Sequence, residues 1–369
     1  MRIHNTHVGS IEDAHVRNVT SLALLFITFL TILALTWITS AAVYAFTSII
    51  AASNPAITYS GRWDTRQQGT VTSYWGGSYF KTDFTGQTLQ LKLAKATSLY
   101  ASIDNSAMIA YPNVSGIVNL TPTALHPGLH TLCVTTGNEW STIALQDILL
   151  DRGATLKAPP VAPQSIEFIG DSITAGYRTT HEIIDSYAWL TGEQLHVEHT
   201  QIATSGITLL DYNNTQTGME SQYFKLQTLR YPNSPNWNFA RFQPTAVVIN
   251  LGTNDYRHHV SAALFQQHYT TFLEHLRHVY PQADIFALRT FLGYEAAPTL
   301  AAVQSVNRSG DHNVYYLNTT GWITAGTSDY RDALHPSNLG HQKITRHLVP
   351  QLSTFLHAAT MKQQGSIHN

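Results

Sequence analysis

An all-β sandwich followed by an α/β domain with a parallel sheet, the pair preceded by a membrane-spanning helix, is the fold class that three observations predict. A charge-free apolar run lies near the N-terminus, residues alternate with period two from Ile57 to about Asp151, and beyond a proline-rich segment strand and helix patterns take turns. The length of 369 residues agrees with two domains of ~150 residues each.

The first element is the apolar run. No Asp, Glu, Lys or Arg occurs from Asn18 to Gly61, and Leu22 to Ala52 is apolar or hydroxyl-bearing almost throughout. A helix needs about 20 such residues to cross a bilayer, so residues 18–52 are expected to form an anchor. Arg2 and Arg17 precede the run and no Lys or Arg follows until Arg62. That bias puts residues 1–17 in the cytoplasm and the remainder outside, giving a single-pass membrane protein whose two domains are extracellular. The alternative is a signal peptide cleaved near Val43-Tyr44-Ala45 and a secreted product, although a signal's apolar core usually spans only ~7–15 residues.

The sandwich is expected over residues 57–157. Leu89, Leu91 and Leu93 alternate with Gln90 and Lys92, and Phe80, Thr82 and Phe84 alternate with Lys81 and Asp83. Turn pairs at Gly76-Gly77, Thr85-Gly86, Asp104-Asn105, Pro112-Asn113 and Pro127-Gly128 separate such runs, the spacing of an antiparallel sandwich. Residues 158–163, Ala-Pro-Pro-Val-Ala-Pro, read as a short stiff linker, because proline fixes φ and offers no N–H to a sheet.

Residues 164–358 follow a different rhythm, with residues 359–369 as a tail. Ser165–Ile169, His196–Ala203, Ala246–Leu251, Asp284–Leu288 and Asn313–Leu317 read as strands. The run Ala-Val-Val-Ile-Asn-Leu is nearly all apolar, as in a parallel strand covered on both faces. Phe265, Tyr269, Phe272, Leu276 and Val279 fall at helical spacing, and Ile344, Leu348, Leu352 and Phe355 mark a closing helix. Alternation of this kind implies a parallel sheet between helices. Tyr212 to Phe242 carries aromatics without a period and reads as a long loop with short helices near a functional face.

Composition narrows the function. A net charge of -2 and the absence of any Lys/Arg block exclude nucleic acid as the main partner, since phosphate binding needs clustered positive charge. The lone Cys133 rules out an internal disulfide and a cysteine-rich metal site. Among the 19 histidines, His258 and His259 are adjacent and point apart, while His275 and His278 share a helix face with no third ligand, so no metal is expected.

Four segments could carry chemistry. The strand ending Phe168-Ile169-Gly170 runs into Asp171-Ser172, which places Ser172 at the carboxyl end of a parallel strand, where ligands bind and a nucleophile is useful. The same serine could instead be a helix N-cap. Leu251-Gly252-Thr253-Asn254 brings the Asn254 amide to the same edge, and Ser205-Gly206 offers a glycine N–H where backbone can approach a substrate. Near the C-terminus Asp332 stands three residues before His335.

Together these segments resemble the SGNH (GDSL-type) hydrolases, whose named residues would fall on Ser172, Gly206, Asn254 and His335; the run His335-Pro336-Ser337-Asn338-Leu339-Gly340 is similar to the family's last block. Gly61-Arg62-Trp63-Asp64 and Trp75-Gly76-Gly77-Ser78 resemble the N-terminal domain of carbohydrate esterase family 2, which removes acetyl groups from plant polysaccharides. The resemblance implies an SGNH-type three-layer domain behind a jelly-roll-like sandwich. Its chemistry would be that of a serine esterase with Ser172 as nucleophile and His335 as base and then acid. Asp332 would hold the imidazole's tautomer, although family 2 members can work with a dyad and Asp329 is a less well spaced substitute. The Ser172 N–H, the Gly206 N–H and the Asn254 amide would form the oxyanion hole, each donor worth ~3 kcal/mol of barrier. No cofactor is needed. The expected partner is an acetylated polysaccharide or oligosaccharide, with Trp237 and Tyr223 as substrate-binding aromatics in the irregular loop. Two competing readings are an esterase or thioesterase for a lipid-like acyl group and a non-catalytic glycan-binding protein.

Overall fold

The structure, a computed structural model, describes residues 48–212 and 216–366. Its first part is a ten-stranded antiparallel sheet formed by β1 (Ser48–Ala51), β2 (Thr58–Ser60), β3 (Trp63–Asp64), β4 (Val71–Ser73), β5 (Tyr79–Thr85), β6 (Leu89–Ile103), β7 (Ile109–Asn119), β8 (Leu129–Thr136), β9 (Ala144–Leu150) and β10 (Leu156–Lys157). Strand β6 pairs with β9 through Leu89–Leu93 and with β8 through Leu99–Ile103, so one sheet folds over on itself. Its inward residues Leu89, Leu91 and Leu93 meet Phe80, Phe84 and Ile148 in a closed apolar core, as the period-two pattern predicts.

Two expectations need correction here. Ser48–Ala51 is not the end of a membrane helix but a strand paired antiparallel with Asp147–Leu150. Apolar composition alone does not separate the two, and alternation over four residues is too short to read. The rest of the expected anchor, residues 18–47, lies outside the described residues, among which no helix is long and apolar enough to cross a membrane. Pro112-Asn113 is not a turn either; it sits inside β7 at an irregularity in the β6–β7 register, with Asn113 in the left-handed region at φ 48°.

The second part is a five-stranded all-parallel sheet in the order β12 (Glu198–Ala203), β11 (Ser165–Gly170), β13 (Ala246–Asn250), β14 (Asp284–Leu288), β15 (Val314–Leu317). Alternate residues of each strand feed different cores. Val247 and Ile249 pack with Phe265, Tyr269 and Leu276 of the helix Ala262–Val279, whereas Ala246 and Val248 pack with Ile344 and Leu348 of the closing helix Asn338–Ser366. This double coverage explains why the central strands are apolar throughout.

The two parts are bolted together by buried polar groups. Arg62 of the sandwich inserts its guanidinium among aromatic rings of the second domain, 4.7 Å from the Tyr223 ring centroid and 5.8 Å from that of Trp237, and donates to the Tyr223 and Lys225 carbonyls. Glu198 at the start of β12 accepts from Ser60 and Tyr79, with Lys81 alongside at 3.5 Å. A buried cation or carboxylate left without partners is costly, so these groups hold one domain arrangement.

Candidate active site

Strand register builds the site. Gly170 pairs with Ala203 on one side and with Asn250 on the other, so three adjacent strands, about 4.8 Å apart, end level with one another. Ser172, Gly206 and Asn254 follow those ends within a few residues and emerge on the same carboxyl edge. Gly170 lets the chain turn there, since a Cβ on it would meet Thr174 Oγ1 at 2.0 Å and the Asn250 carbonyl at 2.9 Å.

Asp171 caps the short helix Ser172–Ala175 by accepting from Ile173 N at 2.9 Å. The cap is therefore Asp171, which leaves the Ser172 hydroxyl for other work. Burial, assisted by the nearby Asp255 charge, pushes the Asp171 carboxyl up to about 7 against the pull of its hydrogen bonds. Ser172 Oγ lies 3.1 Å from His335 Nε2. On the far side of the imidazole, Nδ1 is 3.0 Å from Asp332 Oδ2 and 3.1 Å from Oδ1.

The Asp332–His335 turn holds itself. Asp332 Oδ1 accepts from Leu334 N and His335 N, both at 2.8 Å. Burial would raise this carboxyl, but the His335 N–H, the His335 ring and the Leu334 N–H outweigh it and hold it at about 2. Arg178 Nε stands 3.7 Å from Asp332 Oδ2, and the Tyr177 ring meets the His335 ring edge-on at 5.0 Å. Asp329 is not a substitute acid. It is buried, bonded to Lys343 Nζ at 2.6 Å and to Thr324 N at 3.0 Å, and Lys343 holds its carboxyl low.

The electrophilic side is built on the turn Thr204–Ile207. Gly206 has φ 80°, the left-handed region that glycine adopts without strain, and among the described residues its N–H has no acceptor. Asn254 Nδ2 donates to the Ile207 carbonyl at 2.9 Å, which fixes the amide; its second hydrogen faces Asp171 Oδ2 at 3.5 Å, the limit of a hydrogen bond, and can turn to a developing oxyanion. A hydroxyl–imidazole–carboxylate relay at the same sheet edge as the Gly206 N–H and the Asn254 amide can carry out acyl transfer.

All five chemical positions expected from the sequence thus lie at one sheet edge. The two aromatic substrate contacts do not. Tyr223 is fully buried and Trp237 is 7% exposed, both packed around Arg62, so neither presents a face to a substrate. A loop without periodicity looked like surface, yet it wraps the sandwich's arginine. Exposed rings occur elsewhere: Tyr256, two residues after Asn254, stacks on Tyr294 at 4.3 Å, beside an open pocket of about 480 Å³ lined also by His259, Glu295 and Pro298. Trp140 of the sandwich lies under the Arg230 guanidinium at 4.2 Å. Sequence reasoning missed Glu139, whose buried carboxylate accepts from both N–H and hydroxyl of Ser205, and Arg178 beside Asp332. The place of Arg178, six residues after Ser172, was the only local signal for either.

Comparison with known proteins matches residues 168–343 to the GDSL-like lipase/acylhydrolase family and residues 59–160 to the carbohydrate esterase 2 N-terminal domain. The cellulase/esterase CelE of Acetivibrio thermocellus is 28% identical over 328 residues, which is 82% of this chain and 40% of that protein. An acetylxylan esterase/glucomannan deacetylase of Cellvibrio japonicus is 24% identical over 83% of this chain and 90% of its own length. Among solved structures, a family two carbohydrate esterase from Clostridium thermocellum in complex with cellohexaose superposes with a TM-score of 0.71 at 27% identity, covering 82% of this chain and 99% of that one. An acetyl xylan esterase from Butyrivibrio proteoclasticus shares the fold with a TM-score of 0.73 at 17% identity, over 84% of this chain and 98% of that one.

Proposed function

The chain is homologous to the family 2 carbohydrate esterases, with their N-terminal domain and a GDSL-like hydrolase domain in order, and from that premise we propose that it removes O-acetyl groups from a carbohydrate. The observation that carries the reading is the Ser172–His335–Asp332 relay. His335 Nε2 takes the Ser172 hydroxyl proton as Oγ bonds to the acetyl carbonyl carbon. The oxyanion that forms is met by the Ser172 and Gly206 N–H groups and the Asn254 amide. Collapse breaks the bond to the sugar oxygen, which leaves with the proton from His335, and Ser172 keeps the acetyl group. Water then attacks, giving its proton to His335, and acetate departs as the proton returns to Oγ.

The relatives named for acetylxylan and glucomannan support an acetylated polysaccharide or oligosaccharide as substrate. Tyr256, stacked by one face on Tyr294, and Trp140, under the Arg230 guanidinium, are exposed rings suited to contact with sugars. The charge-free run that begins at Asn18, with Arg2 and Arg17 before it, supports tethering to a membrane with the catalytic unit outside; secretion after cleavage is the alternative, and membrane fractionation of the full chain separates them.

The test is acetate release from a panel of acetylated glycans, with acetyl, butyryl and octanoyl esters beside it. Ser172→Ala should lose about 10⁵-fold or more in kcat, as removal of a serine nucleophile does, while still melting at the wild-type temperature. Equal turnover by Ser172→Ala would remove the esterase reading, and a rate that climbs with chain length would replace the acetyl carbohydrate by a lipid-like acyl substrate.

A further inference from the structure

The sandwich domain reaches into the hydrolase domain at one point that packing does not require. Glu139, in the loop between β8 and β9, is 1% exposed, and its carboxylate accepts both the backbone N–H and the hydroxyl of Ser205. The Thr204 hydroxyl also faces it, and its own backbone N–H is held by Glu182. A buried carboxylate facing another acidic residue is an expensive way to fill space, since burial alone already raises Glu139. Its cost is intelligible if the bond to Ser205 has a use.

Ser205 precedes Gly206, and the turn they share is otherwise lightly held. Gly206 is exposed, and among the described residues nothing lies within 4 Å of where its Cβ would be and its carbonyl receives one bond, at 3.3 Å from Gln216 Nε2. The return bond of the turn, Ile207 N to Thr204 O, is long at 3.4 Å. Yet the orientation of the Ser205–Gly206 peptide sets where the Gly206 N–H points. The next carbonyl, that of Ile207, is the acceptor that fixes the Asn254 amide. One turn therefore aims two of the three oxyanion donors, and the carboxylate that holds it comes from the other domain.

We propose that Glu139 is a positioning residue for the oxyanion hole, and that the sandwich domain is part of the catalytic machinery through it. This rests on the esterase reading above. Preorganised donors help only when they already point at the charge that develops, so loosening the turn lowers the rate of the chemical step more than it weakens substrate binding.

The experiment is steady-state kinetics on an acetyl ester with full-length Glu139→Ala, Glu139→Gln and Ser205→Ala, each with a thermal melt and with the affinity of a boronic acid that forms a tetrahedral adduct on Ser172. For Glu139→Ala the expected result is a ~10–100-fold loss of kcat, below the 10²–10³ of a deleted donor, with KM within about threefold and boronate affinity falling in step with kcat. Glu139→Gln should recover most of the loss, because its carbonyl can accept the Ser205 N–H while its amide donates to the hydroxyl. Ser205→Ala should cost less than Glu139→Ala and add nothing in its background. A kcat within threefold of wild type in Glu139→Ala, or additive losses in the double variant, would overturn the proposal while the esterase reading stands. Should Glu139→Ala not fold, Ser205→Ala decides: lower kcat with weaker boronate binding supports the clamp, and wild-type values in both overturn it. Wild-type protein without ester turnover would remove the esterase reading and the clamp with it.

Discussion

Ser172 and the Asp332–His335 turn are held by bonds that span two or three residues: Asp171 to Ile173, and Asp332 to Leu334 and His335. Gly206 and Asn254 are held by bonds that span far more chain, 47 residues from Asn254 to Ile207 and 66 from Ser205 to Glu139. On the esterase reading proposed above, the nucleophile and the base are each shaped by a local turn, although the bond between them spans 163 residues, whereas the groups that would receive the oxyanion are placed by tertiary structure and, at Glu139, by a different domain. Local turns re-form wherever their residues are; the Asn254–Ile207 bond exists only once the second domain has packed, and the Ser205–Glu139 bond only once the two domains have docked. Damage to the interface should therefore spare the relay and weaken the oxyanion hole.

The strongest test of that contrast is Asp332→Asn. The amide oxygen can still accept the two N–H groups, so the turn should persist and the melting temperature should stay close to wild type. Loss of the charge that orients and stabilises the imidazolium should cost about 10⁴ in kcat. A loss below tenfold would show that Ser172 and His335 work as a dyad. Because the carboxyl stays ionised down to about 2, the wild-type pH–rate profile should show no inflection from Asp332 above about pH 3.

A smaller loss is expected on the other side. Asn254→Ala removes a single donor and should lower kcat by about 10²–10³ with little change in KM. The Ile207 carbonyl then loses its partner, so hydrogen exchange in the Thr204–Ile207 turn should speed up while that of the Asp332–His335 turn does not. Equal loosening of both turns would break the comparison. Glu139→Ala, with its smaller expected effect, belongs to the same series.

The smallest effect concerns stability alone. His341, in the closing helix just past the base-bearing turn, is fully buried, stacks on Tyr187 and accepts its N–H at 3.0 Å. Burial, with a lesser contribution from His335, holds its imidazole down at about 3. An unfolded histidine takes its proton near pH 6.5, so between about 6.5 and 3 the unfolded chain binds a proton that the folded chain refuses. Stability should be full above that window and fall with pH by up to ~1.4 kcal/mol per unit within it. His341→Asn keeps an acceptor for Tyr187 and should flatten the fall of melting temperature between pH 7 and 5. An unchanged slope would show that other groups carry it.

The parts of the molecule that could be read early are those whose cause is close by in the chain. Leu89, Leu91 and Leu93 share a face because strands repeat every two residues, and the helix over Phe265–Val279 shows in its spacing for the corresponding reason. Asp332 and His335 could be paired because three residues suffice to close their turn. Ser48–Ala51 was misread because an edge strand and the end of an apolar helix share a composition. Tyr223 and Trp237 were misread because the group that buries them, Arg62, stands more than 150 residues earlier.

By itself, then, the sequence determined the two folds, the proline-rich join between them, and the pairing of Asp332 with His335, because period, turn chemistry and short spacing act within a few residues. Tertiary structure alone decided which aromatic rings are sealed in the core, that β1 belongs to the sandwich, and that Glu139 reaches Ser205. Those outcomes depend on which surfaces meet when the domains pack, and a contact between distant residues leaves no periodic trace in the chain that makes it.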